Sequence, residues 1–301
     1  MKVFVTGGMG FIGSHIVVEL VGRGDEVTIL ARNRRKIPSF LETRGVSIVE
    51  GDLQEYELVR SALKGHDACI HNAICWDEEP TELQLKDTRA AANVFESAAE
   101  AGVAHLIYTS STAVHRPFRP AMDETQRLTP TDFYGATKAA GEAFLSAFSY
   151  QSEMRCNTIR PGPTVGVPVA EGAPVNCDRR FREIVDAVIR GEEIVVAKHD
   201  GRQFIAATDL AKLYAAVLHS EANREVYVAV AREYTTWEEI ALEAVSMVGS
   251  NRSVIAEDRG FSETPNHFDV GKIERDFGFE FSARVALRDY LRYSVSLHTQ
   301  S

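Results

Sequence analysis

The sequence predicts an α/β fold, in which a doubly wound parallel sheet is followed by a smaller C-terminal α+β lobe. Up to Arg160, short apolar runs alternate with stretches of helical periodicity, which is the pattern of parallel strands covered by helices. A glycine-rich segment follows the first apolar run directly, as at a tight strand-to-helix turn. Beyond Arg160, prolines and glycines crowd one stretch and the regular alternation ends, so we expect a different architecture there.

The strands are predicted from apolar runs that are nearly continuous, because a strand covered by helices on both faces has no polar side. In chain order they occupy residues 3–6, 26–31, 46–49, 68–71, 104–109 and 155–160. Helices are predicted from apolar residues that recur every three or four positions, at 14–23, 82–101, 133–150, 178–190 and 209–219, with one further strand at 193–197. We expect a first domain of residues 1–162, joined by 203–230, and a substrate-binding lobe of residues 163–202 and 231–301.

The composition argues against several classes of protein. A formal net charge of −10 argues against a nucleic-acid partner, since phosphates need a basic surface. No apolar stretch approaches the ~20 residues that span a bilayer. The N-terminus begins on a strand pattern and not on a signal peptide. The four cysteines show no CxxC spacing and no clustering with histidines, which predicts free thiols, no metal site and a cytoplasmic location.

The segment after the first strand has the glycine spacing of a turn that binds a dinucleotide. Gly7, Gly10 and Gly13 lie in the turn, and Phe11 and Ile12 open the following helix. Glycines allow the backbone to turn tightly and to approach a pyrophosphate, whose charge is stabilised at the helix N-terminus. The alternative is a glycine-rich turn without a ligand. The position between a strand and a helix favours a Rossmann-type site for NAD or NADP.

The end of the second strand bears on the choice between these two cofactors. A carboxylate at this point usually accepts hydrogen bonds from the adenosine ribose of NAD. Here the strand ends at Ala31 and is followed by a basic segment that contains Arg32 and Arg35. Guanidinium groups can bind the 2′-phosphate of NADP, so we favour NADP over NAD. The alternative is a solvated basic loop beside a tolerant NAD site.

Tyr134 and Lys138 stand four residues apart on one face of a predicted helix. A free tyrosine titrates near pH ~10, and a neighbouring ammonium favours the phenolate and lowers that pKa. Such a spacing alone is often a surface pair. It gains weight here because hydroxyl side chains, Ser110 and Ser111 among them, follow the fifth strand at the edge where ligands bind. We therefore predict a proton-transferring tyrosine.

Taken together, these motifs resemble the extended short-chain dehydrogenase/reductase family, the NAD-dependent epimerase/dehydratase group. The resemblance covers almost the whole chain. Its markers are residues 6–13, 51–53, 71–73, 108–111, 134–138, 160–162 and 202–209, followed by Asp269, Lys272 and 277–279. So many matches in the same order make an accidental likeness improbable.

The resemblance implies roles for individual residues. Asp52 would hydrogen-bond the adenine amino group with Leu53 beside it, and Ala73 would line the cofactor. Tyr134 would transfer a proton, and Lys138 would hold the nicotinamide ribose while lowering the pKa of Tyr134. Ser111 would hydrogen-bond the reacting oxygen, whereas its neighbour Ser110 is the less favoured choice.

The substrate side carries mixed signals. Pro163 stands where sugar-nucleotide epimerases often have an asparagine, which weakens an assignment to UDP-glucose epimerisation. Arg202 resembles the family's arginine that grips a nucleotide-sugar pyrophosphate, although an ordinary surface arginine is an equal alternative. His115 stands where many members have tyrosine, and we interpret it as a packed or solvated histidine.

The resemblance thus implies hydride transfer at a carbinol or carbonyl carbon of a small-molecule substrate, with a nucleotide-sugar as first choice. The main alternative is an NADPH-dependent carbonyl or aldehyde reductase, which the basic segment and Pro163 favour. A remote alternative is a non-catalytic cofactor sensor, which would not need Tyr134 and Lys138. In relatives, the helices at 82–101 and 133–150 often form a dimer. Their alanines would permit close approach, so we expect a homodimer; these are Ala90, Ala91, Ala92, Ala98, Ala99, Ala101, Ala139, Ala140 and Ala143.

Overall fold

A computed structural model describes residues 1–33, 38–75 and 80–299 of the chain. The strands are β1 (Lys2–Thr6), β2 (Glu26–Ala31), β3 (Ser47–Glu50), β4 (Ala68–His71), β5 (His105–Thr109), β6 (Arg155–Pro161), β7 (Thr164–Val165), β8 (Ile194–Ala197), β9 (Gly201–Arg202), β10 (Ile205–Ala206), β11 (Val226–Ala229), β12 (Thr235–Thr236) and β13 (Val254–Glu257). The helices are α1 (Phe11–Gly22), α2 (Ser39–Thr43), α3 (Tyr56–Leu63), α4 (Pro80–Glu100), α5 (Phe133–Gln151), α6 (Arg179–Arg190), α7 (Ala207–Leu218), α8 (Trp237–Val248), α9 (Gly271–Phe277) and α10 (Arg284–Thr299), with a 3₁₀ helix at Thr112–His115.

Seven parallel strands form the central sheet, in the order β11-β6-β5-β4-β1-β2-β3. The strand order reverses between β1 and β4, and the connections that follow these two strands cross opposite faces of the sheet. In open α/β sheets, ligands bind where the strand order reverses in this way, outside the carboxyl ends of the strands. The predicted doubly wound α/β fold is confirmed. Sequence periodicity did not predict strand β11, which is distant from β6 in the sequence but pairs with it in the sheet.

Alternating side chains bury the two faces of the sheet against different helices. Val3 and Val5 face a core that is built with α1 and α7, whereas Phe4 between them faces a core built with α3, α4 and α5. This is the period-two alternation of a strand, with apolar residues on both sides because both faces are covered.

The C-terminal part has an apolar core of its own, formed by α6, α8, α10 and the pair β8–β13. Asp178 caps the N-terminus of α6, and Thr236 and Glu239 form a capping box at α8. Phe181 and Trp237 pack edge-to-face at the centre of this core, with their ring centroids 5.2 Å apart. The predicted boundaries of the two lobes stay a prediction, supported by these separate cores.

The two helices predicted to form a dimer interface pack against each other within the chain. Ala90, Ala91 and Ala98 on α4 are buried in the core beneath them, so these three alanines are not available to a partner subunit. That part of the interface prediction is wrong, because periodicity alone cannot tell packing within a subunit from packing between subunits.

Within the described residues, no helix combines the length and the apolar character that crossing a membrane requires.

Candidate active site

The turn between β1 and α1 brings backbone close to backbone. Gly7 has a φ of +71°, and a Cβ there would lie 2.8 Å from the main chain of Ala73. A Cβ at Gly13 would lie 2.0 Å from the carbonyl oxygen of Gly7, so helix α1 can start this close to β1 only with glycine. The Gly10 amide donates a 2.9 Å hydrogen bond to that same oxygen and closes the turn.

Helix α1 begins at this turn with its amide groups open to an anion. Gly10 is its N-cap and provides no side-chain cap, and the first turn contains no acidic residue. The positive end of the helix dipole therefore faces the carboxyl edge of the sheet. This arrangement fits the pyrophosphate of a dinucleotide.

A cleft of about 660 Å³ lies along this edge and brings most of the predicted site residues together. The predicted residues that line it are Gly7, Gly10, Phe11, Ile12, Arg32, Asp52, Leu53, Ala73, Tyr134 and Lys138. Gly13 and Ser111 are not part of the lining: Gly13 packs against Gly7 in the turn, and Ser111 contacts Tyr134. Arg202 is not part of the lining, and Arg35 lies outside the described residues.

The end of the cleft next to β2 is suited to an adenosine group. Ala31 is buried at the strand end, and the exposed Arg32 follows it on the rim. Asp52 lines the opposite wall, where its carboxylate also accepts a 3.0 Å hydrogen bond from the Gln54 amide. Leu53 adds an apolar surface beside it. The carboxylate therefore stabilises its own loop as well as facing the cleft.

A buried threonine connects the ends of β1 and β4 below the cleft. The Thr6 Oγ1 lies 2.7 Å from His71 Nδ1 and accepts a 3.2 Å hydrogen bond from the Ala73 amide. Burial lowers the pKa of His71 to about 3, and the nearby Lys138 ammonium lowers it further in the same direction. His71 is therefore neutral and acts as a structural hydrogen-bonding partner.

Helix α5 carries Tyr134 and Lys138 on the side of the cleft next to β5. Asp132 caps the helix by accepting a 2.7 Å hydrogen bond from the Gly135 amide, which fixes where the first turn begins. Ser111, which caps the 3₁₀ helix, donates a hydrogen bond to the Tyr134 phenol. The Ser111 hydroxyl therefore contacts the phenol, and Lys138 lies one helical turn further along α5.

Ser110 and Ser111 have different environments. Ser110 is buried and donates a hydrogen bond to the Glu142 carboxylate, away from the cleft. Ser111 alone of the two contacts Tyr134. This geometry supports Ser111 over Ser110 as the residue that faces a reacting oxygen.

The pKa of Tyr134 does not shift in the predicted direction. Burial raises the pKa of the phenol and outweighs the hydrogen bond from Ser111, which lowers it, and the Asp87 carboxylate raises it further. Burial also lowers the pKa of the Lys138 ammonium, although Asp87 opposes this effect. In the protein on its own the pKa of Tyr134 is therefore raised overall, since the sequence did not reveal the burial or the second charge, and a lowering contribution from Lys138 stays a prediction.

A buried ion pair between β6 and α5 was also missed. Arg160 at the end of β6 donates to Glu142 on α5, from Nε to Oε1 at 2.9 Å and from Nη2 to Oε2 at 2.6 Å. Its Nη1 donates 2.9 Å to His115, whose pKa burial lowers to about 4, so the imidazole is a neutral acceptor. His115 is therefore a packed histidine, as predicted.

On the substrate side, Arg202 is held by a carboxylate. Its Nη1 lies 2.7 Å from Asp200, whose other oxygen accepts a 3.0 Å hydrogen bond from Arg180. Asn176, two residues before the cap of α6, does reach the cleft and was not among the predicted residues. It lies in a proline- and glycine-rich stretch without periodicity, where no sequence signal marks a binding residue.

The model of the NAD dependent epimerase/dehydratase family matches residues 3–229. The chain belongs to this family. Its members are nicotinamide-dependent enzymes, and the cleft described above has the glycine turn, the open helix N-terminus and the acidic and apolar walls that such a dinucleotide needs. Gly7, Gly10 and Asp52 would hold the cofactor in this family member.

Individual relatives differ in what they act on. A 2-alkyl-3-oxoalkanoate reductase of Stenotrophomonas maltophilia (strain K279a) is 36% identical over 151 residues, 47% of this chain and 44% of that protein. A dTDP-glucose 4,6-dehydratase of Streptomyces niveus is 25% identical over 325 aligned positions, 98% of this chain and 92% of that protein. MoeE5, solved in complex with UDP-glucose and NAD, has a TM-score of 0.79 at 22% identity, with 100% of both chains covered. The chain spans 44–55% of the length of the first curated relatives, and MoeE5 shows the fold alone.

Proposed function

We propose that this family member catalyses hydride transfer between a nicotinamide dinucleotide and a carbinol or carbonyl carbon of a nucleotide-sugar. The observation that supports it is the position of Tyr134 and Lys138 in the same cleft as the glycine turn, with Ser111 in contact with the Tyr134 phenol. A proton donor placed beside a hydride carrier is what such a reaction requires.

Each side chain has a role that its position supports. Tyr134 would move the hydroxyl proton of the reacting group, and Ser111 would polarise the oxygen while holding the phenol in place. Lys138 would bind the nicotinamide ribose with its buried ammonium. When bound, the nicotinamide ring supplies or accepts the hydride.

The nucleotide-sugar assignment rests on the match to a dTDP-glucose 4,6-dehydratase, which covers 98% of this chain and 92% of that protein. Arg202 and Asn176 are the candidates for contacting the nucleotide, Arg202 after release from Asp200. Calorimetric titration with UDP-glucose and dTDP-glucose tests this assignment. We expect the wild-type protein to bind one of these sugars. Arg202→Ala should weaken that binding roughly ten-fold or more, because a charge-assisted contact is lost. If neither sugar binds the protein loaded with cofactor, the nucleotide-sugar assignment is wrong.

A carbonyl reductase of a non-nucleotide substrate is the second candidate, favoured by the 36% identity to a 2-alkyl-3-oxoalkanoate reductase. The two candidates differ in whether the cofactor leaves. An epimerase returns its bound cofactor to the starting oxidation state within each turnover, whereas a reductase consumes one NADPH for each product. Product formed in excess of the cofactor supplied therefore indicates an epimerase, and equal amounts of the two indicate a reductase.

We propose that NADP is preferred over NAD and that Arg32 is the cause. Ala31 leaves no carboxylate at the end of β2, and Arg32 reaches the rim of the cleft. One charge-assisted hydrogen bond to the 2′-phosphate, weakened by the solvent exposure of Arg32, corresponds to roughly ten-fold tighter binding of NADPH than of NADH.

Arg32→Ala should remove most of this preference and leave NADH affinity unchanged. Titration of both cofactors at one salt concentration measures it, and equal affinities in the wild-type protein would refute the role of Arg32. Arg35, in the undescribed segment, is the second candidate for the same contact.

Lys138→Met is expected to weaken cofactor binding and to move the pH optimum of the residual activity upward. The variant removes the positive charge next to Tyr134 but leaves the buried Asp87 carboxylate, so the phenol holds its proton to higher pH. Rate profiles over pH and cofactor titrations provide the measurement. Unchanged profiles together with unchanged affinity would exclude Lys138 from the mechanism.

A homodimer through α4 and α5 remains a proposal. Phe144 and Tyr150 are exposed on α5, at 45% and 71%, and burying aromatic side chains would favour association of this face. Light scattering on Phe144→Glu tests it, since a dimer through this face should dissociate. The cytoplasmic location also stays a prediction from the sequence.

A further inference from the structure

Asp87 on α4 places a second, opposite charge beside the Lys138 ammonium. Its Oδ2 lies 3.9 Å from the Lys138 Nζ, and both side chains are nearly inaccessible, with exposed fractions of 3% and 4%. Its Oδ1 accepts a 2.9 Å hydrogen bond from the Cys75 amide, in the segment that lines the cleft after β4. The carboxylate is thus fixed from two sides, and none of the roles described above uses it.

The pair changes what Lys138 can do to Tyr134. An isolated ammonium one helical turn away would favour the phenolate. The Asp87 carboxylate lies within 4 Å of that ammonium, is shielded from water together with it, and acts on the phenol in the opposite direction by raising its pKa. Asp87 therefore opposes the effect on which the tyrosine–lysine pair depends.

Among the described residues, the other groups around the pair do not restore a positive charge. Around Lys138, His71 from β4 is neutral, and Tyr108 from β5 presents its ring, with its centroid 5.2 Å from Nζ. Cys75 stays a neutral thiol, since burial raises its pKa to about 11.

Around Tyr134 itself, Arg116 and Asp132 act in opposite directions, and Ser111 donates a hydrogen bond. Tyr214 from α7 is neutral because burial raises its pKa. Burial of Tyr134 and the Asp87 carboxylate both favour the protonated phenol.

We propose that Asp87 is a positioning residue that offsets the Lys138 ammonium, so that Tyr134 keeps its proton across the neutral pH range and the site is set to donate that proton to a carbonyl. The proposal rests on the proposed hydride transfer and specifies its substrate class as a carbonyl compound to be reduced. The carbonyl carbon accepts a hydride from the reduced nicotinamide, while its oxygen takes the Tyr134 proton. The products are an alcohol and the oxidised nicotinamide, and the phenolate regains a proton from water.

Asp87→Asn tests the proposal on the cofactor-free protein. Asparagine keeps the shape and the oxygen that accepts from the Cys75 amide, and it removes only the charge. The ionisation of Tyr134 is measured as the difference in tyrosinate absorbance between a protein and its Tyr134→Phe version, across pH. We expect the difference signal to appear at lower pH in the Asp87→Asn background than in the wild type. A signal at the same or a higher pH overturns the proposal.

Glu96→Gln is the matched control, since it removes one carboxylate from an exposed position on the same helix. It should leave the Tyr134 titration where it is. If Asp87→Asn does not fold, the comparison of Lys138→Met with Lys138→Met/Asp87→Asn replaces it, because no buried charge is left unpaired in the double variant. The double variant should titrate at lower pH than Lys138→Met, and equal titrations overturn the proposal.

A kinetic measurement separates this inference from the proposed function. With a carbonyl substrate, the pH above which reduction declines should move down in Asp87→Asn and stay fixed in Glu96→Gln. If the Tyr134 titration moves as expected but no carbonyl compound is reduced, the proposed function fails and the role of Asp87 stands. If reduction occurs but neither the titration nor the pH profile moves, only the role of Asp87 fails.

Discussion

Replacing Tyr134 by phenylalanine is expected to lower turnover by ~10²–10⁴-fold, the usual contribution of a general acid–base group. Phenylalanine keeps the ring in its partly buried position and removes only the hydroxyl, which accepts from Ser111. The loss of one hydrogen bond costs roughly 1 kcal/mol of stability, so the variant should fold. Cofactor affinity should stay nearly unchanged because Lys138 and the glycine turn are untouched.

Tyr150→Phe provides the matched control on the same helix. Tyr150 is 71% exposed, far from the glycine turn in sequence, and its ring packs on the Arg224 guanidinium at 4.0 Å, a contact that phenylalanine retains. Its activity should equal that of the wild type. If Tyr134→Phe retained more than about a tenth of wild-type turnover, another group would have to transfer the proton.

The parts of the fold and site that sequence predicted well depend on local patterns. The glycine turn, the strand before it and the helix after it are contiguous, so their spacing can be recognised directly. Tyr134 and Lys138 are one turn apart on a helix whose cap, Asp132, also lies in the same stretch. The position of β11 was not predictable in this way, because its partner β6 lies far away in sequence.

The ion pairs of Asp87 and Glu142 were not predicted because the cation of each lies on another element. The sequence nevertheless contained an indication that both carboxylates are buried. Asp87 shares its helical spacing with Val94 and Ala98, which are buried, and Glu142 shares its spacing with Leu145. A charged residue on the apolar face of a helix must find a partner inside the protein, since burying it alone is costly. The sequence could therefore have shown that these carboxylates are paired, but not with which cation.

Arg160→Met is expected to lower the free energy of unfolding by about 3–5 kcal/mol, the cost of leaving one member of a buried ion pair without its partner. The exposed fractions of the Arg160 and Glu142 side chains are 5% and 8%, so water cannot replace the lost contacts. Of its hydrogen bonds to Ser110 and Arg160 in the described part of the chain, Glu142 would keep the one from Ser110. Urea unfolding followed by circular dichroism measures the change.

Two further variants distinguish a buried charge effect from a loss of packing. Arg190→Met breaks the pair with Glu192, whose members are 58% and 53% exposed, and should leave the free energy of unfolding nearly unchanged because solvent screens the pair. Arg160→Met/Glu142→Leu replaces both charges by apolar groups and should recover much of the loss, because no charge remains buried. If Arg160→Met lowered the free energy of unfolding no more than Arg190→Met does, the Arg160–Glu142 pair would not stabilise the fold.

The same pair also joins the elements that carry the proposed catalytic groups. Glu142 lies one helical turn beyond Lys138 on α5 and accepts from Ser110, which follows β5 and precedes Ser111. Arg160, the second-last residue of β6, donates to both Glu142 and His115. Removing the guanidinium should therefore loosen the contact between Ser111 and Tyr134 even in molecules that remain folded. We expect Arg160→Met to lose turnover under conditions where it is fully folded, with cofactor affinity retained, because the glycine turn lies outside this network. Arg160→Met/Glu142→Leu should recover stability more completely than turnover, since apolar contacts fill the space without directing hydrogen bonds to Ser110 and His115.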